Sequence, residues 1–181
     1  MGLESAQFGD IHFENCFVPA DRRLGAEGMG IPIFSAALDL ERAIIGAPAV
    51  GAMRHELELS ISHVNTRVQR GQPIGSFQSV SNRIADMTLR LELSRLIIYY
   101  AAALRDAGRS AKHSSPLVKL ALSEFYVASS LDAIRNKGAA GYVRGDPSGT
   151  SVCDAIGSLF YSGTSDVLRN LIASYAGVKL A

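Results

Sequence analysis

Three charged residues lie close together in an otherwise apolar, helix-forming stretch, where an acid and a base could take part in proton transfer. The stretch covers residues 36–46, and its charged members are Asp39, Glu41 and Arg42. Asp39 and Arg42 are three residues apart, so they share a helix face and can form an ion pair. Glu41 points toward a different, apolar side. A carboxylate there is either a solvated surface group or a desolvated acid that serves as a base, and the spacing leaves both interpretations open.

The composition narrows the classes of function. The chain has 181 residues, enough for one domain, and 48% of them are hydrophobic. Its net charge of +1 does not suggest a polyanionic partner, so we expect no nucleic-acid binding. Cys16 and Cys153 show no metal-ligand spacing and fit a reduced, cytoplasmic setting. The N-terminus does not resemble a signal peptide, and the longest apolar run, residues 96–104, is shorter than the ~20 residues that a bilayer requires.

The first segment of the chain predicts a strand without a partner. Residues 8–18 alternate apolar and polar side chains, and Pro19 ends the pattern. A lone strand must pair with a sheet elsewhere, so we expect residues 1–30 to be the end of a β-domain, made of this strand and a linker. Residues 31–181 then form a helical domain.

The rest of the chain predicts long helices, because apolar residues recur at helical spacing between glycines and prolines. We expect helix one to kink at Pro48, helix three to begin at Ser115-Pro116, and the last helix to be capped by Thr164. The predicted helices cover residues 32–67, 77–107, 115–138 and 164–176, with a short helix over 152–160. The predicted apolar positions include Met87 and Leu91 on the second helix, and Leu117 and Leu131 on the third. Long helices joined by short loops indicate an all-α fold, an antiparallel four-helix bundle.

Other kinds of site find little support. A di-iron centre in a bundle needs Glu-x-x-His on two helices, and no such pair occurs, so we expect no metal. Ser162-Gly163 lacks the G-x-S-x-G frame of a hydrolase nucleophile. The basic loop with Arg67 and Arg70, and the helix start at residues 163–165, are candidate anion sites. The ordinary alternatives are a solvated loop and a capped helix.

Seven motifs follow one another along the chain. They are Val18-Pro19 after the strand, Gly25-x-x-Gly28-x-Gly30, Leu38-Asp39-x-Glu41-Arg42, residues 67–78, Ile84-Ala85-Asp86-Met87, Gly138-x-x-Gly141-Tyr142, and Tyr161-x-Gly163-Thr164-Ser165. In this order they resemble the acyl-CoA dehydrogenase family over nearly the whole chain. The resemblance implies a C-terminal helical bundle that follows the last strand of a β-domain. Longer family members also carry an N-terminal helical domain and a flavin-facing β-domain.

The resemblance implies α,β-dehydrogenation of an acyl-CoA or acyl-carrier-protein thioester, in which a carboxylate removes the α-proton and FAD accepts the β-hydride. It also implies a homodimer or homotetramer, with electron-transfer flavoprotein as an electron acceptor. The α-C–H is a weak acid, so the reaction needs a well-placed base, and the developing enolate needs fixed hydrogen-bond donors.

The position of the base follows from the same resemblance. In most members it is a glutamate just before the Gly-Thr of the last loop, where this chain has Ser162. In a subset that resembles isovaleryl- and long-chain acyl-CoA dehydrogenases, the base lies on the first bundle helix, directly before an arginine. That position is Glu41, so the resemblance implies Glu41 as the base. It implies Ser162 as a catalytic residue through its backbone N–H, which donates to the thioester carbonyl.

The resemblance also implies residues that bind the cofactor and the substrate. The cofactor-binding positions are Arg67, Gln78, Gly138, Thr164 and Ser165, and the substrate-binding positions are Asp39, Arg42 and Tyr161. Arg67 matches an arginine that contacts the flavin pyrophosphate across a subunit interface. The family pattern is not kept at Arg70, Arg135, Lys137, Ala139, Ala140 and Cys153. These departures are compatible with a carrier-bound acyl substrate.

Two functions stay open at this point. The first is the C-terminal part of a flavin-dependent acyl-thioester dehydrogenase, which is inactive without its β-domain. The second is a half-length or degenerate family member that acts as a structural subunit in oligomerisation. Small residues of helix one, such as Gly46 and Gly51, suit close helix packing, and the departures at Arg135 and Lys137 favour the second function.

Overall fold

The computed structural model describes residues 1–179, except for the side chain at position 150, and is mostly helical. Its described helices are α1 (Gly30–Ile44), α2 (Ala47–Thr66), α3 (Gln78–Asp106), α4 (Ser114–Lys137), α5 (Ala139–Tyr142), α6 (Pro147–Gly157) and α7 (Ser165–Tyr175). Between α2 and α3, β1 (Val68–Gln69) and β2 (Gln72–Pro73) form an antiparallel hairpin. Short 3-10 turns cover Ala20–Arg22 and Ile74–Ser76. The predicted all-α bundle is confirmed, while residues 180–181 of the predicted helical domain lie outside the described residues.

Helix α4 is the centre of the bundle. It packs against α1, α2, α3, α5, α6 and α7. One apolar cluster joins α2, α3, α4 and α6, and contains Ala49, Met53, Leu57, Met87, Leu91, Tyr126, Ala133 and Ala155. A second cluster joins α1, α3 and α4, and contains Ala43, Ala101, Val118 and Leu122. Because α4 is covered on several sides, polar side chains on it also become buried, among them Lys119.

Helix one is two helices rather than one kinked helix. Helix α1 ends at Ile44 and α2 begins at Ala47, so the prediction of a continuous helix over residues 32–67 is wrong at its middle. Pro48 lies in the first turn of α2, where its missing N–H would have no intrahelical partner. The break therefore precedes the proline, and Glu41 lies on the last turn of α1.

The close approach of α1 and α4 depends on Gly46, which lies between α1 and α2. A Cβ built on Gly46 would lie 2.1 Å from Leu122 Cδ1 and 3.1 Å from Leu122 Cβ. We expect Gly46→Ala to lower the free energy of unfolding by about 1–3 kcal/mol, the usual cost of overpacking, in urea unfolding followed by circular dichroism. Gly51→Ala is the matched control, because no atom lies within 4 Å of the new methyl group. It should raise stability by about 0.5–1 kcal/mol, and an equal loss in both variants would contradict the steric explanation.

The predicted strand over residues 8–18 is not formed, so that prediction is wrong for this chain. The segment has no strand hydrogen bonds, and its large side chains Phe8, Ile11, Phe13 and Phe17 are exposed. A strand requires backbone partners, and the described residues supply none for this segment. Residues nearer the start are anchored, since the Leu3 N–H donates to Asp154 Oδ1 at 2.5 Å. The division of the chain at residue 30 stays a prediction.

Candidate functional site

A tight turn between α6 and α7 forms the centre of the candidate site. Ser162 and Gly163 have φ of +57° and +100°, in the left-handed region. A Cβ on Gly163 would lie 3.3 Å from Arg42 Nη2, so both the backbone and the packing favour glycine there. Thr164 then caps α7 as predicted, because its Oγ1 accepts a hydrogen bond from the Val167 N–H at 3.4 Å.

The structure brings Glu41 and Ser162 together across 121 positions of the chain. The Ser162 hydroxyl donates to Glu41 Oε1 at 2.5 Å. Glu41 is half-buried and lies on an open groove of ≈ 580 Å³. The other residues of this groove are apolar: Ala37, Leu40, Ile44, Ile45 and Pro48. The site therefore places one carboxylate between a hydrogen-bonding turn and an apolar groove.

Arg42 and Asp39 connect α1 to the turn and to α4. Arg42 is buried, and its Nε–H donates to the Ser162 carbonyl at 2.8 Å. Arg42 Nη1 lies 4.0 Å from Asp39 Oδ1, so the ion pair expected from the spacing is at the limit of direct contact. Asp39 Oδ1 also accepts a hydrogen bond from the Ser115 hydroxyl at 3.4 Å. Ser115 thus contacts α1 rather than capping α4, which begins one residue earlier.

Lys119 is the functional-site residue that sequence reasoning missed. Its side chain is 1% exposed, and Nζ donates to the carbonyls of Ser158 at 2.8 Å and Gly163 at 2.9 Å. Burial, with a smaller contribution from the charge of Arg42, lowers the pKa of Lys119 to about 8. The ammonium also lies 5.6 Å from the centre of the Tyr161 ring, whose own pKa is raised by burial. A lone lysine within the apolar run 116–122 was the available signal.

The predicted cofactor residues fall into two groups. Arg67, at the end of α2, and Gly138, directly after α4, line one groove of ≈ 400 Å³ together with Arg135 and Lys137. Gln78 is the first residue of α3 and is exposed. Thr164 and Ser165 instead adjoin the turn with Ser162, and the buried Ser165 hydroxyl has no hydrogen-bond partner among the described residues.

A second buried ionisable group, Glu56 on α2, also escaped the sequence analysis. The hydroxyls of Ser130, at 2.6 Å, and Ser151 donate to its Oε1, while Oε2 has no partner within the described residues. Glu56 lines a cavity of ≈ 70 Å³ beside His55 and Lys137. Burial raises the pKa of Glu56 above its usual 4.5, against the opposing effects of the two serines and His55.

This raised pKa predicts how stability depends on pH. The folded state holds the Glu56 proton more tightly than the unfolded state, so stability is lost as the pH rises from 4.5 through the folded pKa. Glu56→Gln keeps an oxygen for both serines and cannot ionise. We expect its melting temperature to exceed that of the wild type at pH 8 but not at pH 4.5, by differential scanning calorimetry. The exposed Glu58→Gln is the control, and a pH-independent offset in Glu56→Gln would contradict the prediction.

None of the helices within residues 1–179 is long and apolar enough to cross a membrane. The described residues also contain no group of three or more His, Cys, Asp or Glu side chains that could hold a metal ion. Cys16 is exposed and Cys153 is half-buried, and both are free thiols.

Comparison with known proteins identifies the family. The family pattern described as "Acyl-CoA dehydrogenase, C-terminal domain" matches residues 28–176. The chain belongs to the acyl-CoA dehydrogenase family. This match confirms the resemblance deduced from the order of motifs. It covers every described helix from α1 to α7 and leaves out only the two ends of the chain.

Relatives within the acyl-CoA dehydrogenase family include enzymes of two kinds. The L-prolyl-(peptidyl-carrier protein) dehydrogenase of Pseudomonas fluorescens is 42% identical over 94% of this chain and 45% of its own length. The mitochondrial isovaleryl-CoA dehydrogenase of Oryza sativa subsp. japonica is 34% identical over 95% of this chain and 42% of its own length. The crystal structure of the prolyl acyl carrier protein oxidase AnaB matches with a TM-score of 0.89 and 41% identity, over 91% of this chain and 44% of that one. This chain therefore spans about half the length of these relatives.

Proposed function

We propose that this chain is the C-terminal helical part of a flavin-dependent acyl-thioester dehydrogenase, with Glu41 as the base that removes the α-proton. The observation that carries the proposal is the hydrogen bond between Ser162 and Glu41 at the edge of an apolar groove. Residues distant in the chain converge there on a single carboxylate. We also propose that activity requires the flavin-facing β-domain that the family resemblance implies. This chain spans about half the length of its relatives.

The groove supplies the surroundings that α-proton removal needs. An acyl chain lying against Leu40, Ile44 and Pro48 would present its α-carbon to the Glu41 carboxylate. Once the groove is covered, its apolar side chains would keep water away from the reacting carbon, and a carboxylate within hydrogen-bond reach can take the proton. The exposed apolar side chains of α1 would then be covered by substrate and by the β-domain.

Hydrogen-bond donors for the thioester carbonyl are available at the turn. The Ser162 N–H makes no hydrogen bond to a backbone carbonyl within residues 1–179. We propose that it donates to the thioester oxygen, where negative charge develops as the α-proton leaves. Arg42 would support this donor by fixing the Ser162 carbonyl from the buried side. Asp39 and Tyr161 stay proposed substrate-binding residues, although they do not line the groove at Glu41.

The donor chemistry of two surfaces fits FAD. Arg67 gives the groove beside Gly138 a guanidinium that suits a pyrophosphate, since guanidinium groups bind phosphate with paired hydrogen bonds. Arg135 and Lys137 line the same groove but pair with Asp132 and Asp146. The Ser165 hydroxyl, which has no hydrogen-bond partner among the described residues, offers polar contacts at the turn together with Thr164. Gln78 offers an exposed amide at the start of α3. When bound, FAD would accept the hydride from the β-carbon. We propose that these groups hold the cofactor, with Arg67 serving a neighbouring subunit.

The substrate we propose is an acyl group carried as a thioester on a carrier protein rather than on CoA. Relatives named for prolyl-carrier-protein oxidation are 42% and 41% identical to this chain, against 34% for the isovaleryl-CoA enzyme. The departures from the family pattern at Arg135 and Lys137 lie together on the groove beside Gly138. We also propose a cytoplasmic location, to which the two free thiols are suited.

The full-length, flavin-loaded protein tests this function. It should be mixed without oxygen with a prolyl thioester on a carrier protein, with free proline, and with isovaleryl-CoA. Rapid loss of the visible absorption of oxidised flavin with the carrier-bound substrate alone would support the proposal. Faster reduction by isovaleryl-CoA would overturn the carrier specificity, and no reduction by any acyl thioester would overturn the dehydrogenase function.

A structural role in oligomerisation is the second candidate, and one surface favours it. Leu89, Leu93, Leu96 and Tyr100 recur at helical spacing on α3, and all four are exposed. An apolar stripe of this kind suits a homodimer or homotetramer. Light scattering coupled to size exclusion decides this point. A monomer at micromolar concentration would rule out the structural role without affecting the Glu41 chemistry.

A further inference from the structure

We propose that Lys119 is a positioning residue that holds the turn between α6 and α7 in the shape required for catalysis. The proposal rests on the dehydrogenase function for its catalytic consequence, but its structural part stands on the hydrogen bonds alone. Nothing in the preceding mechanism uses Lys119 directly, because its ammonium is buried behind the turn and does not line the groove at Glu41.

The two carbonyls that Lys119 binds lie at opposite ends of the turn. Ser158 directly follows α6, and Gly163 lies two residues before α7. One ammonium group on α4 therefore sets the distance between the end of one helix and the start of the next. The Ser158 carbonyl also belongs to the negative end of the α6 dipole, which favours a cation there.

A second cation completes the arrangement. Arg42 on α1 binds the Ser162 carbonyl, and Lys119 on α4 binds the carbonyl of the next residue, Gly163. A trans peptide group is planar, so its N–H points away from its C=O. Fixing these two carbonyls toward the buried cations therefore directs the N–H groups of Gly163 and Thr164 away from them. Two cations from different helices thus orient the N–H groups of Gly163 and Thr164 directly. They act on the preceding Ser162 N–H, the donor proposed for the thioester, through the shape of the turn.

The electrostatic surroundings indicate that this lysine is costly to bury. Arg42 on α1 is a like charge, and Glu124 on α4 is the acid whose charge acts on Lys119, while Tyr161 presents its ring. Burial is the largest reason for the lowered pKa of Lys119, and carbonyl dipoles rather than a carboxylate bind the ammonium. An apolar side chain of similar length would fill the same space without desolvating a charge. A role in orienting the turn explains why a lysine is present.

The test compares Lys119→Met with the wild type in the full-length, flavin-loaded protein. Methionine keeps most of the stem and removes the ammonium. We expect faster amide hydrogen exchange in residues 159–165, with exchange in α3 unchanged. We also expect kcat for the thioester to fall by about 10–100-fold, with KM changing by less than about threefold, since misplaced groups slow the chemistry more than they weaken binding. Lys112→Met, in the loop before α4, is the matched control and should alter neither measurement.

The outcomes separate this proposal from the proposed function. Unchanged exchange in residues 159–165, in a folded Lys119→Met protein, would overturn the role of Lys119 whatever the enzyme does. Faster exchange with unchanged kcat would overturn its catalytic consequence. If the wild type oxidises no thioester, the proposed function fails, and hydrogen exchange alone still decides whether Lys119 holds the turn. Should Lys119→Met fail to fold, Lys119→Gln retains one polar donor group, and the same exchange measurement applies with the same overturning result.

Discussion

Replacing Glu41 by glutamine in the full-length, flavin-loaded enzyme is expected to slow thioester-dependent flavin reduction by about 10²–10⁴-fold, the usual contribution of a positioned base. Glutamine has nearly the same shape and can still accept the hydrogen bond from the Ser162 hydroxyl. It cannot take a proton from the α-carbon. The fold and the flavin content should therefore be unchanged, and stopped-flow absorbance of the flavin measures the effect directly.

Two variants provide controls for the loss of the base. Glu58→Gln removes an exposed carboxylate on α2, which pairs with the exposed Arg54, and should leave the rate unchanged. Ser162→Ala removes the hydroxyl but keeps the backbone N–H, so its rate should fall much less than that of Glu41→Gln. If Glu41→Gln turned over at the wild-type rate, Glu41 would have no part in proton removal. If Ser162→Ala were equally slow, the hydroxyl would be as essential as the carboxylate, and the loss could not be assigned to the base alone.

Replacing Arg42 by methionine is expected to lower the free energy of unfolding by about 1.5–3 kcal/mol, the range for hydrogen bonds made by charged groups. Arg42 is buried, and its loss leaves the Ser162 carbonyl without its donor. One effect acts in the opposite direction. The pKa of Lys119 is lowered first by burial and then by the charge of Arg42, so removing Arg42 also relieves a repulsion. Urea unfolding measures the net change.

Arg54→Met is the control for the Arg42 variant. Arg54 pairs with Glu58 on the surface of α2, and its side chain is 73% exposed. Its removal should change stability by less than about 0.5 kcal/mol. Equal losses in the two variants would show that the hydrogen bond to Ser162 contributes little. We also expect Arg42→Met to quicken hydrogen exchange at the turn, as Lys119→Met does, because both side chains bind adjacent carbonyls.

The helical periodicity of apolar residues predicts the buried positions of α3 well and those of α4 poorly. The reason is the number of helices that pack against each of them. The predicted apolar positions of α3 include Met87 and Leu91, and both are buried. On α4, the same reasoning predicts a buried stripe that contains Leu117 and Leu131, yet both are exposed. A helix with one buried face shows a clear apolar stripe. Helix α4 packs against six other helices, so many of its polar side chains are buried as well. An apolar stripe therefore does not predict which residues of α4 are buried.

The break in helix one shows the limit of reading a proline alone. The sequence predicts a kink at Pro48, but the helix ends before it and a new helix begins at Ala47. A proline can bend the interior of a helix or lie in the first turn of a new helix. The structure shows the second, with Gly46 packed against Leu122 at the break. The strand predicted at residues 8–18 failed for a related reason, because alternation specifies a strand only where a neighbouring strand is present.

By itself, the sequence determined the family, the all-α bundle and the Thr164 cap. These follow from residue types at short spacing and from the order of motifs along the chain. The choice of Glu41 over Ser162 as candidate base comes from the family resemblance and stays a prediction. The tertiary structure alone decided that the Ser162 hydroxyl reaches Glu41, that Arg42 and Lys119 bind carbonyls of one turn, and that Glu56 is buried. Those contacts join residues 44–121 positions apart, and local spacing carries no information on which distant segments a helix face will meet.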